Sequence, residues 1–214
     1  HVDNGWQGRF TADVVALDSA RSPEIPFVDC QQKVPPSADK SCVLGDLASS
    51  HRILLWGDSY ALAWAPAFDA LGKRHGFAVE LALLSSCPGL SGIKVGGAHT
   101  CRTFNEEVVR SLSTDSAREL DAVVLVGSWG PYLDPASGIQ LDDTDEALPK
   151  AKNFAAGLRR TIHVVTSRGI GLVIIGPTPG APSDLPYRLA ASQAFGIAPP
   201  LGKSVKESGA YNDR

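Results

Sequence analysis

Residues 52–70, RILLWGDSYALAWAPAFDA, carry the reading that decides the fold. Ile53, Leu54, Leu55 and Trp56 form a short apolar run that stops at Gly57, after which Ala, Leu and Trp residues take up helical spacing. The stretch therefore reads as buried strand, tight turn and helix. Its turn, Gly57-Asp58-Ser59, sets a serine hydroxyl at the carboxyl end of a strand and at the amide-rich start of a helix, where anionic intermediates are favoured. Ser and Asp are also ordinary helix N-caps, so the turn alone fits a structural role as well as a nucleophilic one.

Outward from this unit the pattern repeats. The helix is expected to run to about His75, with Gly76 in the helix-ending place and a kink at Pro66. FAVELALL (77–84), DAVVLV (121–126) and GLVIIG (171–176) read as three further buried strands. Between them, CRTFNEEVVRSL from Cys101 carries Phe104, Val108, Val109 and Leu112 at helical spacing, and 150–168 is amphipathic through Phe154, Leu158, Ile162 and Val165. Alternating strands and helices predict an α/β three-layer sandwich, a central, mostly parallel sheet flanked by helices. Residues 1–45, with scattered Pro, Gly, Asp and Ser and no sustained period, predict a loop-rich extension packed on a domain that spans 46–214.

At 214 residues, 43% hydrophobic and 20% charged, the chain can bury a sizeable core. A net charge of -3 gives no general electrostatic reason to bind nucleic acid or an anionic membrane, and nucleic acid is not expected as a partner. No run reaches the length of a membrane span, and HVDNGWQGRF is not a signal peptide. Asp142, Asp143, Asp145 and Glu146 lack the spacing of a calcium loop and read as a solvated surface segment; no metal site and no cofactor are expected. The four cysteines fall in two local pairs, Cys30 with Cys42 and Cys87 with Cys101, without CxxC spacing. Two small disulfide loops in an oxidising compartment and four reduced buried thiols both fit that spacing.

The blocks LLWGDSYA and AWAPAFDAL resemble the SGNH (GDSL-like) hydrolase and acyltransferase superfamily, and more narrowly the SGNH domains fused to family-3 membrane acyltransferases, which O-acetylate bacterial surface carbohydrates. The resemblance covers most of the chain from Cys30 to Pro179. It implies a flavodoxin-like α/β core, favours the Cys30–Cys42 and Cys87–Cys101 disulfides, and makes Ser59 the nucleophile. Gly89, in SSCPGL at the end of the second strand, would supply a backbone N–H to an oxyanion hole together with the Ser59 N–H. Pro-Gly there is equally a turn signal.

Two positions depart from the pattern that the resemblance implies. Tyr60 stands where a histidine commonly follows the serine in the membrane-fused group, and Trp129 stands where in the superfamily an asparagine amide normally completes the hole. The resemblance passes the amide role to Asn105, after the second loop cysteine, and puts Tyr60 and Trp129 beside a substrate groove, where tryptophan can stack on a sugar ring. As bland readings, Asn105 is an exposed helix residue and Trp129 a core aromatic.

A serine nucleophile needs a base, which superfamily members carry in a C-terminal Asp-x-x-His block. None of His51, His75, His99 or His163 has an aspartate three positions earlier. Of these only His99, in the glycine-rich loop, is expected near the strand tops, and the sequence is expected to stop before the block. The function implied is O-acyltransfer, with acetyl as the expected group, from a membrane-bound acyltransferase domain of the same parent chain to a hydroxyl of an envelope polysaccharide such as lipopolysaccharide. That places the domain in the periplasm, tethered to the inner membrane. A periplasmic SGNH esterase and a non-catalytic carbohydrate-binding domain are the alternatives.

Overall fold

The computed structural model describes residues 7–20, 24–33, 42–96, 99–113, 120–134, 136, 138–141, 149–177 and 184–198. Along the chain these form α1 (Ala12–Ser19), β1 (Val43–Gly45), β2 (Arg52–Gly57), α2 (Ser59–His75), β3 (Ala78–Leu83), β4 (Ile93–Val95), α3 (His99–Ser111), β5 (Leu120–Val126), α4 (Trp129–Leu133), β6 (Ile139–Leu141), α5 (Lys150–Thr166), β7 (Gly171–Ile175) and α6 (Leu185–Phe195). The chain divides into two compact units, residues 26–177 and a smaller one made of 1–25 with 178–214.

In the larger unit the sheet order is β1-β3-β2-β5-β7, with β1 antiparallel to β3 and every other pair parallel. Side chains alternate across it with the period of two that strands impose. Leu55, Val79, Leu81, Val124 and Val126 pack with Ala61, Leu62 and Ala65 of α2 on one face. Leu54, Trp56, Ala82, Val123 and Leu125 pack with Phe104 and Val108 of α3 and Val165 of α5 on the other. This is the expected α/β architecture, a mostly parallel sheet between helices. A second, two-stranded antiparallel sheet, β4 with β6, was not legible in the sequence because each strand is three residues long.

The central unit falls where the apolar run and its punctuation put it. β2 ends at Gly57, where a Cβ would lie 1.8 Å from the Val126 carbonyl oxygen, so only glycine lets β2 run this close to β5. α2 starts at Ser59, includes Pro66, and ends on Gly76 at φ +74°, the left-handed geometry glycine adopts without strain.

Two readings need correction. β7 was expected to be a buried strand; it is the sheet's edge, and Val173 and Ile174 are 51% and 44% exposed. The extension is also less irregular than its composition implied. Residues 26–45 belong to the larger unit: β1 borders β3, Gln31 bridges Leu83 in parallel, and the Cys30–Cys42 disulfide joins the two segments. In the smaller unit α1 forms behind Thr11, whose hydroxyl accepts from Val14 N at 3.4 Å, and packs with α6. Its apolar residues lack a helical period, which hid it from the sequence reading.

Candidate active site

Ser59 is the first residue of α2 and is exposed, at the carboxyl end of β2. It does not cap its helix. Asp58 does, its Oδ1 accepting from Tyr60 N at 2.8 Å. The cap role that the sequence allowed to either residue therefore goes to the aspartate. Among the described residues neither the Ser59 hydroxyl nor its N–H has a hydrogen-bond partner, and the N–H is one of the donors a helix start leaves open.

Asp58 is 1% exposed and does more than cap. Its Oδ2 accepts from Ser128 N at 2.9 Å and from the Tyr132 hydroxyl at 2.8 Å, so one carboxylate ties the serine turn to the segment after β5. Burial first, then the charge of Asp58 and the hydrogen bond to it, push the Tyr132 hydroxyl far above its ordinary range and keep it a donor at every physiological pH. Nothing in the spacing of the sequence marks Tyr132; its role follows only from the fold.

Gly89 lies in the buried segment after β3, and Leu84 N donates to Gly57 O at 3.1 Å, so this segment starts beside the serine turn. The close approach at 89 is to the core: a Cβ would sit 3.1 Å from Trp56 Cγ and Cδ1 and 3.2 Å from Leu125 Cδ2, so a side chain there would press on both. The second expected disulfide, Cys87–Cys101, joins this segment to α3.

Asn105 and Trp129 are both buried. Asn105 is 1% exposed; its Oδ1 accepts from Trp56 Nε1 at 3.0 Å and its Nδ2 donates to Pro88 O and Leu90 O at 3.0 and 3.1 Å. Both amide hydrogens thus have acceptors on the Gly89 segment. Trp129 is 7% exposed, donates from Nε1 to Ile175 O at 2.7 Å and meets Phe154 edge-on with ring centroids 5.8 Å apart. Its ring belongs to the core cluster on the face of the sheet that α3 and α5 cover. Tyr60, next to Ser59 on α2, is 39% exposed.

No base is assembled around the serine by the described histidines. His51 pairs with Asp121 at 3.1 Å at the amino ends of β2 and β5, opposite Ser59 across the length of the strand. His75 ends α2 and His163 is exposed on α5. His99 opens α3, and its side chain lies outside the described part of the structure, as does the acidic segment from Asp142 to Glu146. Among the described residues no three His, Cys, Asp or Glu side chains group as metal ligands, and no helix is long and apolar enough to cross a membrane.

The larger unit is thus an α/β domain with an exposed serine at the turn between β2 and α2 and a glycine segment after the neighbouring parallel strand β3. The family described as the SGNH domain fused to AT3 domains matches residues 29–213, and the chain belongs to that family. No curated protein sequence matches it. In fold it is similar to the periplasmic domain of a lipopolysaccharide acetyltransferase from Salmonella serovar Paratyphi A. The TM-score is 0.59 at 17% identity, over 95% of this chain and 75% of that one.

Proposed function

We propose that the domain is a serine O-acyltransferase that moves an acyl group, acetyl in the first instance, onto a hydroxyl of a bacterial envelope polysaccharide. Ser59 Oγ attacks the donor's carbonyl carbon, its proton passes to a base, and the negative charge that develops on the carbonyl oxygen is met by the Ser59 and Gly89 N–H groups. The base hands that proton to the donor's leaving group, which departs to give an acyl-serine. A sugar hydroxyl then attacks that ester and its proton passes to the base; as the acyl–serine bond breaks, the base returns the proton to Ser59 Oγ, releasing the acylated sugar and regenerating Ser59. The donor is presented by a membrane-bound acyltransferase domain of the parent chain, on the periplasmic side, with this domain tethered there. Family membership and the likeness to a lipopolysaccharide acetyltransferase domain support this reading.

The observation that carries it is the division of labour at the turn: Asp58 caps α2, which leaves the exposed Ser59 with a hydroxyl and an N–H that no described residue engages. A helix cap would have used one of them. Because Ser59 is open to solvent, water can compete for the acyl-serine, which favours esterase activity as the second reading. Intact-mass analysis with a serine-reactive fluorophosphonate tests the nucleophile. It would compare this chain, the protein with its native flanking sequence, and Ser59→Ala in the latter. Labelling of the flanked protein that disappears in the variant is expected. If the flanked protein stays unlabelled while a control SGNH enzyme reacts, Ser59 is no nucleophile and a binding role replaces the enzymatic one. Acetylated sugar as product, against free acetate, separates transferase from esterase.

A further inference from the structure

We infer that Asn105 is the positioning residue of this site: by holding the Pro88 and Leu90 carbonyls it turns the Gly89 N–H outward, to where the oxyanion of the Ser59 adduct forms. The inference rests on the reading of Ser59 as nucleophile.

The buried Asn105 amide meets one donor and two acceptors, and each of these is unambiguous. Indole Nε1 only donates, so the group it faces is Oδ1; carbonyl oxygens only accept, so the group facing Pro88 and Leu90 is Nδ2. The amide therefore has one orientation, with the Cys87–Cys101 sulfurs beside Nδ2 at 3.5 and 3.7 Å. A trans peptide is planar, with C=O and N–H pointing in opposite directions. Since the Pro88 carbonyl points inward to Asn105, the Gly89 N–H of the same peptide unit points away from that cluster. Its neighbours are accounted for: Leu90 N donates to Pro88 O at 2.7 Å and Ser91 N to Thr161 Oγ1 at 2.7 Å. Gly89 N–H alone in this run has no partner among the described residues, although Gly89 is buried. A buried N–H left open is costly in a folded protein and is retained where something else binds it.

Trp56 completes the device. Its Nε1 sets the amide, and its ring backs Gly89 at the distance a Cβ would need. Trp56 stands two residues before Asp58 on β2, so the Gly89 segment and the nucleophile are registered to the same strand. Asn105 thus acts on the reaction through Gly89, without touching substrate.

The test uses the protein with its native flanking sequence and measures Ser59 phosphonylation by a fluorophosphonate, separating the reagent's binding constant from its maximal labelling rate. Asn105→Asp keeps the size of the side chain and the acceptor for Trp56 but sets an oxygen against two carbonyls. We expect its maximal labelling rate to fall roughly ten- to a hundredfold with the binding constant unchanged, and hydrogen exchange over 85–91 to rise while the sheet stays protected. Trp56→Phe, which keeps a ring under Gly89 and loses the indole N–H, should lower the rate in the same way and to a smaller extent. A folded Asn105→Asp protein that labels at the parental rate overturns the inference and leaves the Ser59 reading standing. Should Asn105→Asp fail to fold, a parental rate in Trp56→Phe overturns it instead. An unlabelled parent overturns the Ser59 reading, and this inference with it.

Discussion

Asp58 and Asn105 differ by one atom in their side-chain heads, are equally buried, and flank the same strand end, yet their surroundings are opposite in sign. Asp58 meets only donors: Tyr60 N, Ser128 N and the Tyr132 hydroxyl. Asn105 meets one donor, Trp56 Nε1, and two carbonyl acceptors. A carboxylate accepts and cannot donate, whereas a carboxamide does both, so each pocket selects its residue chemically while being indifferent to shape. The two residues hold different parts of one site: Asp58 fixes the serine turn to the segment after β5, and Asn105 fixes the segment after β3. Isosteric exchange is therefore the sharpest way to break the comparison, since volume is kept and only the pattern of donors and acceptors fails.

The largest stability loss is expected from Asp58→Asn. The new NH2 group would face donors, leaving a buried N–H or hydroxyl unpaired, at a cost of about 3–4 kcal/mol. For a chain of this size that lowers Tm by about 10 °C in a thermal melt. A loss near zero would mean that the Asp58 cluster does not hold the turn. Next come the two disulfides, which close loops of similar length, 12 and 14 residues apart in sequence. On chain entropy alone, removing either by paired Cys→Ser substitution costs about 3 kcal/mol. Their effects on Ser59 labelling should nevertheless diverge: loss of Cys87–Cys101 slows it, because that bridge borders the Asn105 cluster, and loss of Cys30–Cys42 leaves it unchanged. Equal effects would show that the two loops are merely staples. Tyr132→Phe is smaller again. It deletes one donor to a charged acceptor, about 2 kcal/mol, and leaves the two backbone donors of Asp58 in place, so it should be clearly milder than Asp58→Asn when measured by urea unfolding.

The same contrast explains what the sequence could and could not reveal. β2, α2, β3, α3, β5 and α5 were legible because apolar residues at period two or 3.6, stopped by Gly57, Gly76 and the turn residues, state both the element and its buried face. α1, β4 and β6 were not, being short or without period, and the exposed edge position of β7 depends on strand order, which periodicity does not encode. Ser59 stood out through its motif. Asn105 stood out as a residue but not in its partners, because an amide 15 to 49 residues from what it binds leaves no local signal. Trp129 illustrates the limit: a tryptophan after a strand suits a sugar-binding wall or a core, and the partners it meets, the Ile175 carbonyl and the Phe154 ring, come from elements distant in sequence that leave no local signal.

Asp69 extends the comparison to a carboxylate near the surface. On α2, its Oδ1 accepts from Gly45 N at 2.9 Å and its Oδ2 from Lys73 Nζ at 2.7 Å, so it ties β1 to the helix much as Asp58 ties the serine turn to the segment after β5. Desolvation raises its pKa, but the hydrogen bonds from Lys73 and Gly45 and the Lys73 charge outweigh that and hold it below the ordinary carboxylate value. A depressed folded-state value means that the unfolded chain takes up a proton first as pH falls. The stabilisation from Asp69 is therefore complete above the unfolded-state value, near 4, and disappears as pH drops through the lower folded-state value. With the Lys73 side chain 64% exposed and screened by water, Asp69→Asn should cost only about 0.5–1 kcal/mol at pH 7. The gap in unfolding free energy between parent and variant should stay level from pH 8 to 5 and narrow toward pH 3. A gap near zero at every pH would show that the charge of Asp69 contributes nothing and that an acceptor oxygen to Gly45, which asparagine keeps, is what holds β1, making the surface carboxylate a neutral-acceptor site in a way that the buried Asp58, with its three donors, cannot be.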